Sequence, residues 1–139
     1  MIEALALAAV IHTSPVIVDQ AADLPTSQEP FAACVARRES GGRPDARNRS
    51  SSAQGKWQFL DNHWRHGLAH MTAWRLRDFG MTRTQARALR AWLRARPIAE
   101  WPEKYQDVAF AAVLNARGPW SGWRHWNLPG STCNTLVQA

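Results

Sequence analysis

Apolar residues recur at helical spacing in four stretches of the chain, separated by segments rich in polar residues, Gly and Pro. Pro25, Thr26 and Ser27 announce the first, with Glu29 and Pro30 in its first turn. Phe31, Cys34 and Val35 form its apolar stripe, and Gly41 and Gly42 stop it. Residues 43–55 then read as a Ser/Arg/Asn loop, and "KWQFL" as a short extended or turn segment. Asp61 suits the cap of a second helix, carrying Trp64 and Leu68 and continuing to Phe79 before Gly80. Thr82 and Gln85 have the spacing of a capping box. That third helix runs to about Ala95, with Ala86, Leu89 and Leu93 inward. Pro102 opens the last long helix, where Tyr105, Val108, Ala109, Ala112 and Val113 keep helical spacing up to the Gly118–Pro119 stop. A Trp-rich, turn-rich tail follows. No stretch alternates with period two, so the class is mostly α with minimal strand.

At 139 residues the chain is long enough for one domain with its own core. The folded domain is expected over residues 27–139. Residues 1–26 read as an arm outside it or as a weak export signal: the apolar run is short, lacks a basic start and contains Glu3. That run is also too short and interrupted to span a membrane.

A net charge of +6, carried mostly by Arg, favours an anionic partner: nucleic acid, an acidic membrane or a bacterial wall polymer. Biased genome composition explains Arg richness equally well. Arg83, Arg87, Arg90 and Arg94 make one helical stripe, either a solvated face or a contact for a polyanion. Eight Trp serve cores, interfaces and carbohydrate stacking alike. His63, His66 and His70 share a helical face, but no carboxylate accompanies them, and neither a metal nor a cofactor is expected. The two cysteines, Cys34 and Cys133, fit no zinc or redox pattern; they are either two buried thiols or one bridge clasping the domain.

Glu39 draws the most chemical interest. Phe31, Val35 and Glu39 lie four apart, so this acid extends an apolar stripe where its helix ends. A carboxyl group held against apolar side chains has its charged form disfavoured, which suits a general acid. Arg37 and Arg38 oppose this: if either folds back, the acid becomes one half of an ion pair.

From Arg38 to Trp64 the sequence resembles the lysozyme-like transglycosylases of bacteria and phages, in "RES" at 38–40, "SSAQGKWQF" at 51–59 and "DNHW" at 61–64. Cys34, Glu39, Gly41, Gly42, Gln58, Phe59 and Trp64 together look most like the resuscitation-promoting-factor branch. "LNARGPWSGWRHW" at 114–126 is similar to the family's Y-N-A-G helix and Trp segment, with Leu114 in place of the Tyr and Arg117 inserted before Gly118. Tyr105 is the only tyrosine left to contact the acid.

The resemblance implies a lysozyme-like α+β domain that cuts the β-1,4 bond between N-acetylmuramic acid and N-acetylglucosamine in peptidoglycan. Glu39 would be its single general acid/base. Ser51, Ser52, Gln58, Asn115, Trp57, Trp64 and Trp120 would bind substrate, with Gln58 and Asn115 on opposite walls of one cleft. It further implies action at the cell wall, by a secreted remodelling enzyme, a phage lysin or a phage-particle component. Asp45 reads as a solvated pair with Arg43 or Arg47 and Asp61 as a cap. Without an obvious second acid, a transglycosylase is favoured over a lysozyme-type hydrolase. The rivals are a basic helical nucleic-acid-binding protein and a catalytically inactive wall-binding relative.

Overall fold

The computed structural model describes residues 14–138. Among these residues the fold has five α-helices and a two-strand hairpin. In chain order these are α1 (Pro15–Ala22), α2 (Glu29–Ser40), β1 (Ala53–Gln54), β2 (Phe59–Leu60), α3 (Asp61–Asp78), α4 (Arg83–Arg94) and α5 (Glu103–Leu114). Short 3₁₀ turns at Thr26–Gln28, Ile98–Glu100, Trp123–Trp126 and Thr132–Leu136 join or follow them.

Helix α5 forms the centre. Nine of its twelve residues are buried, so it has almost no polar face. Helix α3 lies on one side of it and α1 on another. The expectation that residues 1–26 stand outside the fold fails for α1: Val18 and Ala21 are buried in the core, and Ile17 and Ala22 pack against it. Pro15 at the first helical position gives this short element its start. The export-signal expectation falls largely on residues 1–13, outside the described residues.

Helix α4 packs along α3 and starts at the expected capping box, Thr82 accepting from Gln85 N–H and Gln85 from Thr82 N–H. Asp61 departs from its expected role. The first turn of α3 is capped by Ser52, whose carbonyl accepts from Asp61 N–H and whose Oγ accepts from Asn62 N–H. The Asp61 carboxylate is instead buried, taking Ile98 N–H at 2.9 Å and the Arg65 guanidinium. Burial alone would raise this carboxyl; Arg65 and the Ile98 amide outweigh it and hold it below the usual carboxylate range.

Cys34 and Cys133 form a disulfide across 99 residues, fastening the turn at Thr132–Leu136 onto α2. No helix among the described residues is long and apolar enough to cross a membrane.

Candidate active site

Glu39 sits in the last turn of α2, and two local devices set its surroundings. Gly41 adopts a left-handed φ of 66°, which turns the chain so that Gly41 and Gly42 N–H reach the carbonyls of Arg37 and Ala36. Ser40, buried, then donates through Oγ to Lys56 carbonyl oxygen at 2.7 Å and accepts from Gly42 N–H. The Ser that follows the acid is thus a fastener between the helix end and the hairpin turn. It brings Trp57 and Gln58 beside Glu39.

The hairpin turn is held from beneath by Gln106 on α5, which is 1% exposed. Its Oε1 accepts Lys56 N–H at 2.8 Å, and its Nε2 lies within 3.1 Å of the carbonyls of Pro44, Ile98 and Trp101. The turn approaches so closely that a Cβ on Gly55 would stand 2.5 Å from Gln106 Oε1. Gln58 adopts a positive φ of 52°, unusual for a residue with a side chain, and donates through Nε2 to Gly55 carbonyl oxygen.

These elements enclose a cleft of about 410 Å³ lined by Glu39, Trp57, Gln58, Phe59, Leu60, Trp64, Val113, His125, Trp126 and Leu128. Its floor is aromatic. Trp57 stacks on Phe110 at 3.8 Å, Trp126 lies 4.5 Å from Phe110, and Trp126 Nε1 donates to Trp57 carbonyl oxygen. Trp64, 39% exposed, meets His125 edge-to-face at 5.2 Å on the rim. Glu39 is the only carboxylic acid among the lining residues.

Arg38 folds back onto Glu39, the opposing case noted for the sequence. Its Nη2 and Nε donate to Glu39 Oε1 at 2.7 and 3.2 Å. The guanidinium is itself fixed by Trp126 carbonyl oxygen at 2.7 Å and Ser131 Oγ at 2.6 Å. Glu39 is therefore one half of an ion pair. A tethered cation holds one carboxylate oxygen and leaves Oε2 outside that pair.

Of the residues expected to bind substrate, Trp57, Gln58 and Trp64 share the cleft with Glu39, and four do not line it. Ser51 Oγ accepts from Ala53 N–H and Ser52 caps α3, so both hydroxyls serve the loop. Asn115 exchanges two hydrogen bonds with the buried Gln28, at 2.7 and 2.9 Å, and accepts from Trp120 N–H. It faces a separate recess with His70, Trp74 and Arg75, so Gln58 and Asn115 do not flank one cleft. Trp120 packs edge-on against Phe31 and borders another groove with Trp123 and Asn134. The wall expected from Asn115 comes instead from Val113, His125, Trp126 and Leu128. His125 carried no sequence signal beyond membership of the Trp-rich tail. Tyr105 is buried and does not line the cleft.

The other acids lie outside the cleft lining. Asp107 borders a smaller recess of about 220 Å³ that shares Trp57; it pairs with Lys56 at 3.1 Å and accepts from Trp57 Nε1. Burial pushes its carboxyl up against the pull of Lys56. Burial tends to lower the Lys56 ammonium, but Asp107 and Glu103 more than offset this and raise it. Asp45 is exposed, and Arg47 pairs with Glu100 rather than with it. Among the described residues no cluster of His, Cys, Asp and Glu is arranged to hold a metal. His66 and His70 instead face Arg94 and Arg90.

Comparison with protein-family models, with curated proteins and with solved structures finds no match to this chain.

Proposed function

We propose that this protein cleaves peptidoglycan glycan strands as a lytic transglycosylase, with Glu39 as its one general acid/base. The observation that carries the proposal is a lone carboxylate at a helix end, lining an aromatic-floored cleft beside a fixed amide, Gln58. Flat apolar surfaces edged by amide groups suit N-acetylated sugars, whose rings have apolar faces and whose substituents both donate and accept hydrogen bonds.

On this reading Glu39 delivers its proton from Oε2 to the glycosidic oxygen as the bond from C1 of the muramic-acid sugar breaks. Arg38, already bonded to Oε1, compensates the carboxylate left behind. The carboxylate then takes the proton of the same sugar's C6 hydroxyl while that oxygen attacks C1. A 1,6-anhydro end forms and Glu39 regains its proton. A two-carboxylate hydrolase needs a partner acid about 5–9.5 Å away across the bond. The cleft lining holds none, since Asp61 is buried with Arg65 and Asp107 lies in the neighbouring recess. The disulfide suits an oxidising, extracytoplasmic setting, where the wall is the accessible substrate.

The test is mass spectrometry of fragments released from purified walls. Anhydro-muramic ends support the proposal, reducing ends replace it with a lysozyme-type hydrolase, and no release refutes glycan cleavage. Glu39→Gln, which keeps the shape but has no proton to give, should lower release by at least about a hundredfold with unchanged melting.

A further inference from the structure

Helices α3 and α4 share a face lined by arginine and histidine side chains that the chemistry at Glu39 does not use. His66 Nδ1 lies 3.3 Å from Arg94 Nη2, and His70 Nδ1 lies 3.5 Å from Arg90 Nη1, so the helices run antiparallel with two Arg–His pairs one turn apart. Arg83 and Arg87 continue the row, and Arg83, Arg87 and Arg94 are exposed. Arg90 is half-buried; its guanidinium lies 5.9 Å from the Trp74 ring, on which His70 also stacks. Its Nε is buried without a hydrogen-bond partner.

Acids are sparse on this face. Helix α4 contains none, and α3 has Asp61, turned inward to Arg65, and Asp78 in its last turn, which borders a recess with His70, Trp74 and Arg75. The ion pairs among the described residues engage Arg38, Arg47, Lys56, Arg65 and Lys104, and none of the α4 arginines. An ordinary solvated helix face interleaves both signs. From Arg83 to Arg94 the row extends about 16 Å along the helix, longer than any single phosphate or carboxylate can cover. The occupant it fits is a linear polyanion with regularly repeated charges.

We propose that the α3–α4 face docks a polyol-phosphate chain of the bacterial wall, holding the enzyme on its substrate. The choice among polyanions rests on the proposed wall activity and on the disulfide, which suits a compartment where nucleic acid is not the resident polymer. Guanidinium groups bind phosphodiesters through paired N–H donors. Such contacts release counterions and weaken as salt rises.

The experiment uses the full chain carrying Glu39→Gln, so that no strand is cut during binding. Its affinity is measured across a salt series for intact walls, for walls stripped of phosphodiester polymer, for soluble poly(glycerol phosphate) and for duplex DNA. A companion protein adds Arg83→Gln, Arg87→Gln and Arg94→Gln, all exposed, and its melting is checked against the parent. The expected result is about tenfold weaker binding to intact walls at low salt, with the slope of log affinity against log salt falling by about two. Stripped walls should bind the parent no better than intact walls bind the triple variant. An unchanged slope, or equal binding to intact and stripped walls, overturns the docking proposal. Tighter binding to DNA than to poly(glycerol phosphate) also overturns it and assigns the face to nucleic acid. Docking as expected, with no glycan release by the parent chain carrying Glu39, would overturn the enzymatic proposal and leave the docking face standing.

Discussion

Gln106→Met tests whether one buried amide holds the hairpin turn that carries Trp57 and Gln58. The swap keeps side-chain length and approximate volume, so the loss is polar and leaves little cavity. An amide nitrogen has two hydrogens, so Nε2 fully satisfies two of its three neighbouring carbonyls at a time, and Oε1 satisfies Lys56 N–H. Methionine therefore strands two carbonyls and one N–H in a buried setting. At about 1–3 kcal/mol for each unpaired group, less some relaxation, the expected destabilisation is about 3–5 kcal/mol. For a domain of this size that lowers the melting temperature by roughly 10–15 °C. Scanning calorimetry gives the total, and amide hydrogen exchange at Lys56 locates it, since that N–H should lose protection first. Melting within about 3 °C of the parent, the range of an ordinary surface change, would refute the role given to Gln106.

Three further outcomes follow from other contacts. Trp64→Ala should weaken binding of soluble glycan oligomers by about 0.5–1.5 kcal/mol with unchanged melting; unaltered calorimetric affinity would remove the exposed ring from the cleft's function. Thiol titration of the denatured, unreduced chain should find no free thiol, and Cys133→Ser should cost about 4–5 kcal/mol, as expected for opening a loop of this length; a loss under about 1 kcal/mol in urea unfolding would contradict it. Because the folded Asp61 carboxyl is held below its ordinary value of about 3.9, its stabilisation is present above that pH and is lost as pH falls through the folded value. Asp61→Asn should therefore lower stability at neutral pH and flatten its acid dependence, and a parallel curve in urea titrations would reject that account.

Local chemistry made several features legible in advance. The Thr82–Gln85 box, the stop at Gly41 and the stripes of α2, α4 and α5 depend on residues close in sequence, and they appear where expected. Glu39 was visible because an acid at the end of an apolar stripe is anomalous, and Arg38 because it stands next to it. What could not be read locally was set by distant partners. Asn115 has the composition of a sugar-binding residue, but it is taken by Gln28, 87 positions away. Asp61 looks like a cap until Ile98, 37 positions on, supplies its N–H. Helix α1 was missed because eight residues give too few turns for a stripe to stand out. Gln106 did carry a signal: a helix with almost no polar face leaves a lone glutamine nowhere to go but inward.

The chain is made from its N-terminus, and the cleft is therefore assembled in a fixed order. Glu39 and the hairpin that flanks it emerge early. Val113 and α5 follow, and only then come Trp126, whose carbonyl steadies Arg38, and Ser131, whose hydroxyl does the same. Cys133 arrives two residues later and locks both in place by closing on Cys34. Until those residues are made, Arg38 lacks both of its anchors and the cleft lacks one wall. A chain interrupted before Trp126 would lack the carbonyl that holds Arg38 and the cleft wall that Trp126 and Leu128 supply.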